Sequence, residues 1–290
     1  MDPLRVTVRR GDVIEAVHRV HAVAVEDGRL VQVAGDPALV TFFRSSSKPI
    51  QALPLARERA DVTEEELAIA CASHRAHAGQ LAAAASLLQK APATEDDLEC
   101  GLQEGRDPNP LAHNCSGKHA GFLAVCRARG WPSEGYRLAS HPLQRLLLEE
   151  VAAAVEAPVE EIPVAVDGCG VLTFALALER MAHAFARFTT LPGGDRAAAA
   201  MRAHPELIGG DGAIDTELMR LRPGWIAKGG AEGLLCAGSA DGRGVALKAE
   251  DGNYRALQPA LGCFLGLGED FAAVPIENSH GECVGEIVAE

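Results

Sequence analysis

The sequence predicts a mixed α/β fold resembling an α+β arrangement: a mostly antiparallel sheet built from both ends of the chain, with a helical middle portion. Segments that favour strands occupy about the first 45 residues and return from about residue 224, separated by glycine-containing turns. Between about residues 50 and 222, apolar side chains recur at helical spacing instead. No internal repeat or low-complexity linker divides the sequence, so we expect a single domain over residues 1–290.

The N-terminal part of the sheet is expected from short strands over residues 6–8, 13–20, 21–25 and 30–33. A glycine-containing turn at residues 10–12 separates the first two. The Asp-Gly pair in the next turn is a hairpin signal that returns the chain into the last strand.

Capping signals and apolar periodicity predict the helices. Thr63 is followed by three glutamates, which matches a capping box directly before an apolar run. Over residues 142–155 the apolar positions recur every four residues, the spacing of one buried face. The other helices are expected over residues 77–90, 116–129, 172–188, 197–204, 214–221 and 256–265. Strands are expected again over residues 225–228, 233–237 and 244–249.

Composition and charge exclude several classes of function. The formal net charge is −13, whereas nucleic acids and anionic membranes bind basic surfaces. No apolar run approaches the roughly 18 residues that a membrane helix needs, and no secretory signal is recognisable. Eight cysteines without a CxxC pair favour a reduced compartment. We therefore expect a soluble cytoplasmic protein that acts on a small molecule.

The first candidate for chemistry is the segment 44–49, which follows the N-terminal strands where a helix can begin. Ser45 and Lys48 are three apart, so on a helix their side chains share a face. A serine hydroxyl becomes a strong nucleophile when a base removes its proton, and a neutral buried lysine can be that base. The same spacing forms the acylation pair of serine β-lactamases. Because the pattern is short, a polar loop is the competing interpretation.

A second serine and a second lysine stand at positions that favour a cleft. Ser73 ends an apolar run and precedes His74, so the pair either faces a cleft or caps a helix with His74 in solvent; the residues alone favour the cap. Lys228 ends an apolar strand before two glycines, which let a ligand approach the backbone closely. A solvated strand-end lysine is an equal alternative.

A third cluster contains cysteines. Cys115 would stand at a helix start, where the dipole lowers the pKa of a thiol, three residues before Lys118. Cys169 lies in a glycine-rich turn. Two thiolates can hold Zn²⁺, although a free cysteine is more often a small buried hydrophobe. The latter interpretation applies to Cys71, Cys100, Cys126, Cys236, Cys263 and Cys283.

Taken in order, these motifs resemble those of the Rhizobium-type L-asparaginases, also called class 3 or asparaginase II. The resemblance extends from about residue 13 to about residue 248. Several separate motifs in one order are more specific than any one of them. They lie at residues 18–22, 44–51, 71–74, 114–119, 167–169, 204–206 and 248–253.

The resemblance implies a fold like that of serine β-lactamases and bacterial glutaminases, and a homodimer. It also implies two Ser–Lys tandems, Ser45 with Lys48 and Ser73 with Lys228. One serine would attack the side-chain amide of L-asparagine and release ammonia. Water would then hydrolyse the acyl-enzyme to L-aspartate. The expected activity is that of an amidohydrolase, an L-asparaginase.

A zinc site is also implied by the resemblance. Its ligands would be Cys115, Lys118 and Cys169, with water completing the shell. A lysine ligand must be neutral, so zinc would have to depress its pKa strongly. The resemblance further implies that the zinc ion helps to bind the substrate and does not generate the nucleophile.

Of the two serines we favour Ser45 as nucleophile, because the dipole at a helix start stabilises negative charge. Ser73 would then relay or orient protons. Arg44 is a candidate for the substrate carboxylate, with a structural salt bridge as an equal interpretation. Asp167 could hold the substrate ammonium or support the metal site, and His119 could do either.

The chain departs from the family pattern after Ser73 and His74, where it reads Arg75-Ala76-His77 and the family is more polar and acidic. It is also shorter between residues 188 and 201. Both departures leave the substrate range open. The alternatives are a glutaminase, an esterase or a β-lactam-binding protein on the same scaffold, and a non-catalytic zinc or thiol-switch protein.

Overall fold

Eight strands form one antiparallel sheet in the computed structural model, which describes residues 1–269 and 271–290. The strands are β1 (Leu4–Arg10), β2 (Val13–Glu26), β3 (Arg29–Ala34), β4 (Val40–Phe42), β5 (Val164–Val166), β6 (Leu172–Ala177), β7 (Trp225–Gly230), β8 (Leu234–Ser239), β9 (Arg243–Ala249), β10 (Ala273–Glu277) and β11 (Cys283–Ala289). The large sheet has the order β10-β11-β1-β2-β9-β8-β7, and β3 pairs with β2. The predicted mixed fold, with an antiparallel sheet built from both ends of the chain, is confirmed.

The long strand β2 connects the two halves of this sheet. The sequence predicted two strands where the structure has one of 14 residues. It continues because its first part pairs with β1 and its second part with β9, and Val20 pairs with both neighbours. The hairpin to β3 is confirmed. The C-terminal strands β10 and β11 were not predicted individually; β11 pairs with β1, Val6 opposite Ala289.

A second, three-stranded sheet has the order β4-β6-β5. Two expectations are wrong here. Residues 40–42 do not join the large sheet, and the helix predicted over residues 172–188 begins only at Leu178, because β6 precedes it. The buried Leu172, Thr173 and Phe174 pair with β5, and the end of β6 pairs with β4, so tertiary pairing overrides helical periodicity.

The remaining helical predictions are close to the observed bounds. The helices are α1 (Lys48–Gln51), α2 (Leu53–Glu58), α3 (Glu64–Ala70), α4 (Ala78–Lys90), α5 (Ser116–Arg129), α6 (Pro142–Val155), α7 (Leu178–Ala186), α8 (Gly194–Ala203), α9 (Pro205–Ile208), α10 (Ile214–Leu221), α11 (Leu257–Leu265) and α12 (Glu269–Ala272). The capping box of α3 is present, since Thr63 Oγ1 accepts from Glu66 N and Glu66 Oε2 accepts from Thr63 N. Among the described residues, no helix is both long and apolar enough to cross a bilayer.

Close packing between α7 and the large sheet depends on glycine. A side chain on Gly244 of β9 would overlap the Ala182 carbonyl oxygen, and one on Gly238 of β8 would overlap that of Phe185. The helix therefore lies directly on the strand backbones. This packing supports β7, the neighbour of β8, which carries one of the candidate lysines.

Candidate active site

The candidate nucleophile Ser45 lies in a 3-10 turn, Arg44–Ser47, that leads from β4 into α1. Arg44 has a φ of 47°, a conformation that is uncommon for a residue with a side chain. Its backbone N–H donates to Thr173 Oγ1 at 3.2 Å, and Ser46 Oγ donates to the Lys228 carbonyl at 2.8 Å. The turn is thus held between β6 and β7, with Ser45 partly exposed.

A cleft of about 250 Å³ brings several predicted residues together. Its lining includes Ser45, Ser73, Arg75, Asp215, Lys228 and Tyr254. A larger groove of about 390 Å³ lies against β10 and β11, but none of the predicted site residues lines it. The smaller cleft therefore contains both candidate serines and one of the candidate lysines, Lys228.

Lys48 is paired with Ser73 rather than with Ser45. Its fully buried ammonium donates to Ser73 Oγ at 2.9 Å and to the carbonyls of Ala72 at 2.6 Å and Asn114 at 3.4 Å. Among the described residues no hydrogen bond joins it to Ser45. Lys48 points toward Ser73 because three oxygens are available there, and a buried ammonium needs an acceptor for each of its N–H donors. Burial lowers the pKa of Lys48.

Ser73 follows α3 and is held firmly on both sides. Its N–H donates to the Ile208 carbonyl at 2.9 Å. The next residue, His74, is completely buried, and its Nε2 lies 2.8 Å from Ser116 Oγ. The expectation of a solvated His74 is therefore wrong, because α5 covers the end of α3. Burial lowers the pKa of His74 to about 3.

Lys228 on β7 is also buried, which excludes the solvated alternative. Its ammonium donates to the Gly229 carbonyl at 2.7 Å and lies 3.5 Å from Asp215 Oδ2. The described residues contain no hydrogen bond between Lys228 and Ser73, although both line the cleft. Burial lowers the pKa of Lys228 to about 8, against the opposing effect of Asp215.

The two predicted metal-binding cysteines lie together and are not among the residues that line this cleft. The Cys115 and Cys169 thiols contact each other, and this contact lowers the pKa of Cys115. Lys118 Nζ lies 3.1 Å from Cys169 Sγ. Burial opposes the charge on Lys118, but both cysteines raise its pKa above the ordinary value. His119 Nδ1 contacts the Tyr136 hydroxyl at 2.7 Å.

These donors can be compared with what zinc requires. Among residues 1–269 and 271–290, no group of three His, Cys, Asp or Glu side chains is arranged to hold a metal ion. The available donors are instead two thiols, the Lys118 amine and the buried His119 Nε2, which has no hydrogen-bond partner in the described part of the chain. Two thiolates with nitrogen donors fit the chemistry of Zn²⁺.

Arg44 and Asp167 form a salt bridge, with Nε 2.8 Å from Oδ1. Burial opposes ionisation of Asp167, but Lys118 and Arg44 keep its pKa below the usual value. Neither residue lines the cleft, nor does His119. Of the two interpretations of Arg44, the salt bridge is the one that the structure contains.

The family model described as L-asparaginase II matches residues 6–289. This chain belongs to the L-asparaginase II family. No curated protein sequence matches it.

Solved structures similar to this chain include three crystal structures of Mglu. The native form has a TM-score of 0.52 at 14% identity, over 87% of this chain and 64% of that one. A second has a TM-score of 0.51 at 13% identity, over 87% and 67%. The glutamate form has a TM-score of 0.50 at 15% identity, over 87% and 61%. This chain spans less than two thirds of the first of these, and the likeness shows the fold alone.

Two residues at the cleft, Asp215 and Tyr254, were missed by sequence reasoning. Asp215 lies in the first turn of α10, where an acidic residue is ordinary and gives no functional signal. Tyr254 follows a glycine-containing turn, and its hydroxyl lies so close to Gly229 that a side chain there would overlap it. Asp215 and Tyr254 become recognisable as site residues only in the structure, where both lie beside Lys228 in the cleft.

Proposed function

We propose that this protein is an L-asparaginase that hydrolyses L-asparagine to L-aspartate and ammonia through a serine acyl-enzyme. The observation that carries the proposal is the 2.9 Å contact between Lys48 and Ser73, beside Ser45 in one cleft of an amidohydrolase-family chain. Such a contact provides a path for a proton between a serine and a buried amine.

In this proposal Ser45 is the nucleophile. Both serines line the cleft, and the Ser73 hydroxyl is already engaged by Lys48, whereas the described residues contain no side-chain hydrogen bond to the Ser45 hydroxyl. Ser45 Oγ attacks the amide carbon of the substrate. In the active form Lys48 has lost one proton, so the proton of Ser45 passes through Ser73 and Lys48 to the amide nitrogen. The C–N bond breaks and ammonia leaves. Water then attacks the ester, and the proton returns to Ser45 as L-aspartate departs.

Lys228 has a different task in the same scheme. It is the partner that Asp215 keeps charged, so it stabilises the negative oxygen of the tetrahedral intermediate rather than acting as a base. The family resemblance implied a second tandem, Ser73 with Lys228. In this proposal the two residues divide the work: Ser73 receives the proton, and Lys228 supplies positive charge.

We also propose that zinc binds at Cys115, Lys118 and Cys169, since the thiols and the amine lie together there. Bound zinc would supply a fixed positive charge that favours the Cys thiolates and a neutral Lys118. Arg44 and Asp167 are then part of the wall that supports this cluster, and His119 Nε2 faces it.

Ammonia release from L-asparagine and L-glutamine tests the activity, with Ser45→Ala and Ser73→Ala beside the wild type. We expect release from L-asparagine and a loss of at least about 1,000-fold in Ser45→Ala. An electrophilic asparagine analogue should label the wild type, label Ser73→Ala more slowly because the proton path is interrupted, and not label Ser45→Ala, in intact-mass spectra. No release from either amide would refute the function; labelling of Ser45→Ala would refute the choice of nucleophile.

A further inference from the structure

The charged groups around the cleft are unequally compensated. Lys228 is paired with Asp215, and Arg44, outside the cleft lining, is paired with Asp167. Arg75 lines the cleft and takes part in no salt bridge within the described part of the chain. An arginine that lines a cleft and has no protein carboxylate as its partner is suited to bind the carboxylate of a ligand.

The backbone that carries Arg75 is held in one conformation. Gln80 Oε1 accepts from the Arg75 N–H at 2.9 Å and from the His77 N–H at 3.2 Å. Ala76 has a φ of 62°, and its N–H donates to His74 Nδ1 at 3.1 Å. A left-handed residue without glycine persists where its surroundings determine it strongly. Arg75 is therefore presented from a fixed loop rather than a mobile one.

Gln80 connects this loop to the wall of the cleft. It is buried, and its Nε2 donates to the carbonyls of Glu206 and Leu207, both at 3.2 Å. Those residues belong to α9, which leads into the cleft-lining segment that ends at Asp215. The loop and the opposite wall thus form one connected unit.

The guanidinium of Arg75 is oriented but not saturated. Its Nη1 donates to the Asp211 carbonyl at 3.1 Å, and its side chain lies against Gly210, where a Cβ would stand 3.3 Å from Arg75 Cδ. One of five N–H donors is used in this contact. The remaining donors allow a two-point contact with a carboxylate.

We infer that Arg75 binds the α-carboxylate of the substrate and restricts the site to amides that carry a free carboxylate. The inference rests on the proposed function. Arg75 lines the same cleft as the nucleophile Ser45, and it is two residues after Ser73, so the Cα atoms of Arg75 and Ser73 lie within about 7 Å. In a chain of net charge −13, this cation also offsets the repulsion that the α-carboxylate of the substrate meets.

The test compares L-asparagine with L-asparaginamide, in which a neutral amide replaces the α-carboxylate. Hydrolysis of the side-chain amide is followed by chromatography of the product, because either amide can release ammonia. Arg75→Ala should lower kcat/KM for L-asparagine roughly 10- to 100-fold, mainly through KM, and change that for L-asparaginamide less than about 3-fold. Arg75→Lys should recover part of the loss.

Arg127→Ala is the matched control, since Arg127 is exposed at the far end of α5 and does not line the cleft. It should leave both rates unchanged. Equal losses on both substrates in Arg75→Ala, or no loss on either, would overturn the inference. Thermal melting of each variant excludes misfolding as the cause.

A binding measurement separates this inference from the proposed function. L-Aspartate is titrated into the wild type and Arg75→Ala by calorimetry, with its α-amide as the neutral comparison. Weaker binding of L-aspartate alone in the variant supports the role of Arg75, even if the wild type hydrolyses neither amide and the asparaginase proposal fails. Equal affinity in both proteins overturns it.

Discussion

Asp215 and Lys228 form a buried ion pair between α10 and β7, with Oδ2 3.5 Å from Nζ. The carboxylate also accepts from the Gly229 N–H at 3.1 Å and the Thr216 N–H at 3.0 Å. Burial favours neutral Lys228, whereas Asp215 favours the charged form, and the resulting pKa is about 8. The pair therefore determines the pH range in which Lys228 is a cation.

Asp215→Asn should move the alkaline limb of the activity profile to lower pH. Without the carboxylate, burial acts alone, so the pKa of Lys228 falls and its charge is lost at a lower pH. The measurement is kcat/KM for L-asparagine from about pH 6 to about pH 9. Glu217→Gln, on the same helix, should leave the limb in place. An unshifted limb in Asp215→Asn would contradict the role assigned to the pair.

Cys169→Ser should lower the zinc content of the purified protein. A hydroxyl is a poorer zinc ligand than a thiolate, and the Lys118 and Cys115 contacts to the sulfur are lost with it. Metal analysis after dialysis should find about one zinc ion per wild-type chain and much less in the variant. Cys263→Ser, at an exposed cysteine, is the control. Equal zinc in all three proteins would count against the site.

Gly117→Ala should destabilise the protein by about 1–3 kcal/mol. Gly117 is the second residue of α5, and an added Cβ would overlap the Ile69 carbonyl oxygen of α3. Gly79 is the second residue of α4 and has open space around it, so Gly79→Ala should be stabilising by about 0.5–1 kcal/mol. Urea unfolding measures both. Similar free energies of unfolding for the two variants would show that α3 and α5 do not pack as described.

Glu66 should contribute stability at neutral pH that disappears in acid. Its carboxylate is opposed by burial, but Ser86, the Thr63 N–H and Lys90 keep its pKa below the usual value. A lowered folded-state pKa means stability that is present above the unfolded pKa of about 4.3 and lost as pH falls through the folded value. Glu66→Gln should therefore melt below the wild type at neutral pH, with the difference shrinking below about pH 4. A difference independent of pH would contradict this.

Local signals predicted much of the fold. The capping box at Thr63 and the Gly130 terminus of α5 were predictable because each depends on a few neighbouring residues. The strand β6 was not, because Leu172 to Ala177 carry apolar residues that suit either a strand or a helix. Pairing with β4 and β5, which are distant in sequence, decides between the two.

The candidate site shows the same limit. The serines and lysines were recognisable as residue types, and the structure gathers Ser45, Ser73 and Lys228 at one cleft. The partner of Lys48 was not predictable from a three-residue spacing, because the carbonyls of Ala72 and Asn114 direct its ammonium to Ser73. Backbone oxygens carry no sequence signature, so contacts of this kind emerge only from the fold.

The pairing of β2 with β9 has a consequence for synthesis of the protein. Val20 of β2 can pair with Ala249 of β9 only after more than 200 further residues have been synthesised, so the edge of β2 that faces β9 stays unpaired until then. At about 5–20 residues per second, translation leaves this apolar strand with an open edge for about 10–45 seconds. The N-terminal hairpin is thus the segment on which a holding chaperone would act during translation, and pairing over such distances also makes refolding slow.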